Sequence, residues 1–305
     1  MPSEAAASAR VLCHDQHVVH VHADNVLRAL TDDGAFRVLA CDTTATVRGA
    51  IEAQKPETPE LTRIFADLLT GAILVRESMS PDHRLQAILQ GDNPRTRMIA
   101  DTHPDGSTRG LIQMPPDVKE MTIGEKGILQ IARTLHNGSL HQGVVAVPAG
   151  STSVSPALMA YMQDSEQTVT MIAVGCHLSN GEVAAAGGYM VQLLPELAEG
   201  PLMVMTERLK DFQDIVPLLA QGRATPGELL AETLFGMPYT TVSDSEVHFG
   251  CRCSSERLAQ SLASLPRADI ESLMEDGKTL DIECDYCRKR YEFSLQELRS
   301  LIDAN

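Results

Sequence analysis

The sequence is poor in aromatic residues, with no Trp, five Tyr and six Phe in a chain of 305 residues. A sizeable core is still possible, because hydrophobic residues make up 43% of the chain, near the globular norm. Thirteen Met are many, and their flexible side chains suit irregular cores and adaptable apolar contacts alike. The length allows one large domain or two smaller ones.

The sequence also lacks long hydrophobic runs and a dense set of cysteines. No stretch reaches the roughly 18 apolar residues of a transmembrane helix. The N-terminal segment MPSEAAASAR has no basic region followed by an apolar one, so we expect no secretory signal. Seven cysteines are an odd number, and Cys13, Cys41 and Cys176 are scattered, unlike a disulfide-stapled secreted protein. We therefore expect a protein of the reducing cytoplasm.

Nucleotide-binding motifs and excess positive charge are missing as well. The stretch Gly124-Glu125-Lys126-Gly127 lacks the spacing of a phosphate-binding loop, and Gly187-Gly188 is not a dinucleotide fingerprint. The net charge of −16 disfavours nucleic acid and anionic membranes as partners. The C-terminal segment is acidic overall too, unlike a nucleic-acid zinc ribbon. We therefore expect no use of ATP, no nucleic acid and no membrane.

Four cysteines near the C-terminus carry the strongest chemical signal. Cys251 and Cys253 form C-x-C, and after 30 residues Cys284 and Cys287 form C-x-x-C. Four thiolates make a closed tetrahedral Zn²⁺ site, which leaves no open position for a catalytic water. The same sulfurs can be oxidised, so the site is a candidate switch. Flanking cations are interpreted as charge compensation for the centre: Arg252, Arg257, Arg288, Lys289 and Arg290.

The residues alone leave alternatives open. The four cysteines are also compatible with an inert zinc ribbon of a constitutive adaptor, and Cys284 and Cys287 with a thiol–disulfide oxidoreductase. Cys176 and His177 are a nucleophile–base pair by type, but neighbours in a strand point to opposite faces, so we expect a buried Cys176. An N-terminal cluster could bind a metal or form a His-rich strand: Cys13, His14, His17, His20 and His22.

Hydrophobic periodicity predicts an α+β fold, with a mixed sheet-and-helix N-terminal core and a helical linker, and the four cysteines mark a small C-terminal zinc-binding domain. An amphipathic helix begins after the Thr58 cap, with Pro59 in its first turn. We expect further helices at 156–163, 207–220 (interrupted by Pro217), after Thr225, and at 254–264, 270–275 and 294–302. Alternating runs predict strands at 36–40, 44–48, 85–89, 96–100, 108–113, 142–147, 169–176, 184–193, 242–251 and 279–283. The predicted domains are an α+β core (1–199), a metastable helical linker (200–248) and a Cys₄ redox-switch domain (249–305).

The cysteine pattern resembles that of the redox-regulated 33 kDa heat-shock chaperones, or 33 kDa chaperonins. The likeness rests on Cys251-Arg252-Cys253 and Cys284-Asp285-Tyr286-Cys287, on three upstream motifs and on the mass of 33.0 kDa. The upstream motifs are Leu89-Gln90-Gly91-Asp92, Gln142-Gly143-Val144-Val145 and Ala185-Ala186-Gly187-Gly188.

This resemblance implies an ATP-independent holdase of the bacterial cytoplasm that binds unfolded clients. It implies one Zn²⁺ on Cys251, Cys253, Cys284 and Cys287 in a reduced, inactive state. Oxidation would form one disulfide within each pair, release zinc, unfold the zinc domain and linker, and favour a homodimer. The residues give this a physical cause, because a segment of ~60 residues with few aromatics has a thin core, and metal adds on the order of 10 kcal/mol to the folding of small zinc modules. We expect the apolar faces of the linker helices to rest on neighbouring domains.

Overall fold

The structure is a computed structural model that describes residues 23–135, 137–194, 199–274 and 277–303. Sheets and helices are mixed without regular βαβ alternation, which confirms the predicted α+β class. The order of elements is β1 (Asn25–Thr31), β2 (Phe36–Asp42), α1 (Thr44–Gln54), α2 (Pro59–Glu77), β3 (Arg84–Gln90), β4 (Arg97–Thr102), β5 (Ser107–Gln113), β6 (Ile128–Thr134), β7 (Leu140–Ala146), α3 (Ser155–Asp164), β8 (Thr170–Ser179), β9 (Glu182–Leu193), α4 (Glu199–Leu209), a 3-10 turn (Lys210–Phe212), α5 (Val216–Ala220), α6 (Pro226–Thr233), β10 (Tyr239–Glu246), β11 (His248–Phe249), α7 (Ser255–Ala263), α8 (Arg267–Leu273), β12 (Leu280–Glu283), β13 (Arg290–Phe293) and α9 (Leu295–Asp303).

Two large sheets form the core of the fold. The first has the strand order β10-β1-β2-β9-β8, and the second has the order β11-β5-β4-β3-β6-β7. Neighbouring strands are antiparallel except that β11 lies parallel to β5. On the central strands of the first sheet, Val38 lies opposite Val191. Most strands of both sheets lie where alternation predicts them, whereas β6 and β13 were not predicted.

Helix α2 lies between the two sheets and contacts β8 and β9 of the first and β3, β4 and β5 of the second. It begins as predicted, with the Thr58 hydroxyl accepting a hydrogen bond from the Leu61 amide at 3.2 Å and Pro59 in the first turn. The prediction of a single apolar face is wrong, because 16 of its 19 residues are buried. A sheet on each side leaves no solvent face, and α2 becomes the centre of the main core.

The segment 44–48 forms the start of helix α1, so the strand predicted there is wrong. The carboxylate of buried Asp24 accepts hydrogen bonds from the amides of Ala45 and Thr46 at 3.0 and 2.5 Å. These bonds satisfy amides that the first helical turn leaves free. Thr46, Val47 and Ala50 then face the core from one side of the helix. The alternation of apolar and polar residues over 44–48 therefore does not indicate a strand. The hydrogen bonds to Asp24, which lies outside the segment, favour the helix instead.

The linker helices, defined as α4, the 3-10 turn, α5 and α6, cover the face of the first sheet opposite α2. A capping box of Thr225 and Glu228 starts α6. Pro217 does not interrupt a helix as predicted, because α4 ends at Leu209 and the Asp214 carboxylate accepts from the Val216 amide (2.9 Å) at the start of α5. Aliphatic residues of these helices are buried on the sheet, as expected: Met205, Leu209, Ile215, Leu219, Leu229, Leu230 and Leu234.

After the linker helices the chain returns to both sheets before it reaches the cysteines. Strand β10 pairs with β1 at the edge of the first sheet, and β11 pairs with β5 at the edge of the second. The predicted single strand over 242–251 is therefore two short strands that belong to different sheets. Residues 251–303, which we call the C-terminal unit, have a small core of their own: Leu262, Ile270, Tyr291, Phe293, Leu298 and Ile302.

Candidate metal centre

The fold brings all four predicted cysteines to one place. Their sulfur atoms all lie within 4.8 Å of one another, and we call this group the sulfur cluster. The sulfurs of Cys251 and Cys284 are 3.8 Å apart, and those of Cys253 and Cys287 are 3.4 Å apart. Each of these two contacts joins one cysteine of the C-x-C motif to one of the C-x-x-C motif. The sulfur contacts therefore join the start of the C-terminal unit to the segment between β12 and β13.

Two local structures hold the cysteines in position. Cys284 and Cys287 lie in the turn between β12 and β13, where the Cys284 amide donates to the Lys289 carbonyl at 2.9 Å and the Arg288 amide to the Cys284 carbonyl at 2.8 Å. Arg288 adopts the left-handed region (φ +60°), which non-glycine residues enter at a cost. Cys251 and Cys253 precede α7, whose first turn is capped by Ser254, which accepts from the Arg257 amide at 3.3 Å.

The residues present fit a tetrahedral metal ion. Zn–S bonds of about 2.3 Å place the sulfurs of a tetrahedral site about 3.8 Å apart. The two measured contacts, 3.8 and 3.4 Å, lie close to that separation, and the 4.8 Å limit requires only a small contraction. Four soft sulfur donors with no carboxylate or imidazole select a thiophilic ion. The sulfur cluster could therefore hold a metal ion, and within the described residues it is the one such grouping.

The surroundings treat the four thiols unequally. The Tyr291 hydroxyl donates to the Cys253 sulfur at 3.1 Å. Burial opposes ionisation of Cys253, but the hydrogen bonds from Tyr291 and from the neighbouring thiols lower its pKa to about 7. Burial raises the pKa of Cys284 and, more strongly, that of Cys287. Without a metal, negative charge is thus better stabilised on Cys253 than on Cys284 or Cys287.

The flanking cations do not contact the sulfurs in the way the sequence suggested. Arg252 pairs with Asp105 at 2.6 Å, and Arg257 donates to the backbone carbonyl of Arg252. Arg288 and Arg290 both pair with Glu283, and Lys289 lies over the Tyr291 ring at 5.2 Å. Carboxylates, a backbone carbonyl and a ring close to these cations engage their side chains instead.

Arg109 of β5 is the cation that reaches the sulfur cluster, and the sequence analysis missed it. Its Nη1 donates to the Cys251 sulfur at 3.3 Å, and its guanidinium lies 4.1 Å from the centre of the Tyr286 ring. Asp101 on the neighbouring strand β4 also binds Arg109. Strand β5 has a mixed sequence, Ser107–Gln113, so its arginine gives no signal of a buried pair with Asp101. No signal in the sequence connects Arg109 with Cys251.

The other predicted sites have different outcomes. Cys176 is buried, as expected, and burial raises its pKa to about 12, so it is no ready nucleophile. Cys41 is fully buried as well. The N-terminal cluster lies outside the described residues: Cys13, His14, His17, His20 and His22. Across the part of the chain that the structure describes, no helix combines the length and hydrophobicity needed to span a bilayer.

Comparisons with known proteins place these features in context. Residues 24–294 match the family described as Hsp33 protein. The chain is 27% identical over 292 residues to a 33 kDa chaperonin of Desulfotalea psychrophila, covering 92% of this chain and 98% of that protein. It is 29% identical over 289 residues to a 33 kDa chaperonin of Syntrophotalea carbinolica, with coverage of 92% and 99%. The crystal structure of a 33 kDa chaperonin from Thermotoga maritima, a heat shock protein 33 homolog, has a TM-score of 0.80 at 22% identity, covering 93% of this chain and 99% of that one.

Proposed function

Since this chain belongs to the Hsp33 protein family, we propose that it is a redox-regulated chaperone that holds unfolding proteins without ATP. The proposed partners are unfolded or partly unfolded proteins, and the proposed compartment is the cytoplasm. The observation that carries the proposal is the arrangement of two features in one C-terminal region. Linker helices that cover an apolar sheet face are followed, after the short strands β10 and β11, by an oxidisable sulfur cluster.

We infer that the ion of the reduced protein is Zn²⁺, one per chain, on Cys251, Cys253, Cys284 and Cys287. Four sulfur donors at near-tetrahedral separations support this identity. Bound zinc would keep the sulfurs as thiolates and add on the order of 10 kcal/mol to the folding of the C-terminal unit. The unit's own core of six buried hydrophobic residues is small, so it depends on the cysteine positions for its order.

Oxidation changes the four cysteines from ligands into disulfides. Within each pair, two thiolates would give up two electrons to hydrogen peroxide, whose O–O bond breaks to yield two waters with two protons from solvent, while one S–S bond forms. We propose the pairs Cys251–Cys253 and Cys284–Cys287. A disulfide sulfur is not a thiolate donor, so the oxidised C-terminal unit keeps only its small apolar core. We expect it to unfold.

The client surface is proposed to come from the linker helices and the sheet beneath them. The buried residues Ile215, Leu219, Leu229 and Leu230 of α5 and α6 lie on this face, and each is at most 5% exposed. When the linker (200–248) loosens with the oxidised domain (249–305), these side chains become accessible while the core (1–199) stays folded. Exposed apolar surface binds unfolded chains and also favours a homodimer of the oxidised form.

The test is light scattering from a heat-unfolded enzyme, with no ATP, in the presence of reduced or peroxide-treated protein. We expect protection from the oxidised form and little from the reduced form. A variant with Cys284→Ser and Cys287→Ser loses two metal ligands as well as the second disulfide, so we expect it to protect the client even without peroxide. Equal protection by reduced and oxidised wild type would favour a constitutive zinc-ribbon adaptor. Catalytic turnover of a disulfide substrate that needs only Cys284 and Cys287 would favour an oxidoreductase.

A further inference from the structure

A buried ion-pair network links the second sheet to the sulfur cluster. The Asp101 side chain on β4 is 0% exposed and accepts hydrogen bonds from Arg84 at 2.7 and 2.9 Å. Arg109 on β5 binds the same carboxylate through Nε at 3.0 Å and Nη2 at 2.9 Å. The remaining Nη1 of Arg109 donates to the Cys251 sulfur at 3.3 Å. One guanidinium is thus shared between the core and the C-terminal unit.

The charges of this network favour a negative partner at Cys251. Two guanidinium groups surround a single carboxylate, so one positive charge is left uncompensated within the network. Arg109 is only 17% exposed, which limits the compensation that water can provide. A metal-bound thiolate at Cys251 would supply the missing charge and accept a charge-assisted hydrogen bond from Arg109. The sulfur of a disulfide is neutral and is a much weaker acceptor.

The other contacts across this boundary act on backbone and ring rather than on sulfur charge. Gln54 at the end of α1 donates its side-chain amide to the carbonyls of Asp285 and Tyr286 at 2.7 and 2.9 Å. The Tyr286 ring stacks on the Arg109 guanidinium at 4.1 Å. Arg252 pairs with Asp105, but both side chains are about half exposed, so this bridge is weak. Among these contacts, Arg109–Cys251 is the one that oxidation of the cluster alters directly.

We propose that Arg109 is the positioning residue that couples the charge of the sulfur cluster to the docking of the C-terminal unit on the second sheet. The redox half of this inference rests on the proposed function. When Cys251 and Cys253, as thiolates, pass two electrons to hydrogen peroxide, its O–O bond breaks, two protons from solvent complete two waters, an S–S bond forms and the Cys251 charge is lost. Arg109 then keeps its bond to Asp101 and loses its partner across the boundary. Undocking therefore follows from the loss of charge as well as from unfolding.

The experiment compares Arg109→Ala with Arg84→Ala in reduced, zinc-loaded protein. Arg84→Ala is the matched control, because it removes the other guanidinium from Asp101 but not the hydrogen bond to Cys251. The readouts are the zinc content and the hydrogen exchange of the His248 and Gly250 amides, which donate to the carbonyls of Gly106 and Thr108 next to the boundary. We expect Arg109→Ala to keep one zinc per chain and to exchange these amides on the order of tenfold faster. The Arg84→Ala variant should exchange like wild type.

The inference is overturned if Arg109→Ala exchanges like wild type, or if Arg84→Ala accelerates exchange equally. Circular dichroism shows whether Arg109→Ala folds. If it does not, Arg109→Gln keeps a polar donor at this position without the positive charge, and unchanged exchange in that variant overturns the inference. Neither zinc content nor hydrogen exchange measures client protection. A failure of the proposed function can therefore be distinguished from a failure of the inference about Arg109. Wild type that never protects a client contradicts the proposed function, whereas unchanged exchange contradicts only the role of Arg109.

Discussion

Leu230→Ala should make the reduced protein partly active. Leu230 lies on α6, is 1% exposed, and packs in the cluster that joins the linker helices to the first sheet. Its truncation should leave the sulfur cluster unchanged, because Leu230 packs on the first sheet, whereas the cysteines pack in the core of the C-terminal unit and against Arg109 of the second sheet. The substitution therefore weakens the packing of α6 on the proposed client surface and leaves the four cysteines in place.

The size of the effect follows from burial. Truncating a fully buried Leu to Ala lowers the free energy of unfolding by about 2–5 kcal/mol. The loss lies in the upper half of this range where the neighbours cannot collapse into the cavity. Here α6 rests on β1 and β2, which are held in register by a five-stranded sheet, so little collapse is expected. A loss of about 3 kcal/mol in the docking of the linker raises the open population by roughly a hundredfold.

The assay is light scattering of a heat-unfolded client with reduced, zinc-loaded protein and no peroxide. Leu140→Ala is the matched control, since it is the same substitution at a residue that is 63% exposed on β7. We expect protection from Leu230→Ala and none from Leu140→Ala, with one zinc per chain in both. The reasoning is refuted if hydrogen exchange shows an opened linker in Leu230→Ala but the client still aggregates as with wild type.

Three further outcomes are expected. Removing zinc with a chelator should raise hydrogen exchange in α7 and α9 to the level of an unfolded chain and leave α2 protected; persistent protection of α9 would show that its apolar core suffices. Peptide mapping after peroxide should find disulfides within each cysteine pair, and a dominant Cys253–Cys287 bond, whose sulfurs are 3.4 Å apart, would contradict this. Burial opposes ionisation of Asp101, but His103 and Arg84 hold its pKa well below its usual range. Its ionised form therefore stabilises the fold above pH ~4, the pKa of an unfolded Asp, and this contribution is lost as the pH falls further. The difference in thermal midpoint between wild type and Asp101→Asn should shrink from pH 7 to pH 3, and a growing difference would refute this sign.

Features fixed by neighbouring residues were predictable from the sequence. The cap at Thr58 and the capping residue Thr225 are examples, since each depends on an amide within one helical turn. The convergence of the four cysteines was predictable too, because two tight pairs with thiol side chains have few other common uses. In each of these cases the interacting groups are close in sequence or belong to a pattern with a strict spacing.

Features that depend on distant contacts were not predictable. Segment 44–48 becomes helical because Asp24, some twenty residues earlier, caps it. Arg109 meets Cys251 although 142 residues separate them, because the C-terminal unit docks on the second sheet. Arg252 and Arg288 form ion pairs with the carboxylates of Asp105 and Glu283. The sequence around the cysteines could not show that these carboxylates, rather than the sulfurs, bind the two cations. Pairing across a sheet edge and docking of one unit on another leave little trace in local spacing.

The most direct test of the account is a single time course in which zinc release and client protection are followed in one peroxide-treated sample. A chromogenic chelator reports the released metal, and light scattering reports the client. The account predicts that protection begins only as zinc leaves and reaches its maximum when about one ion per chain has been released. Full protection before any zinc appears, or complete release of zinc without protection, would contradict it.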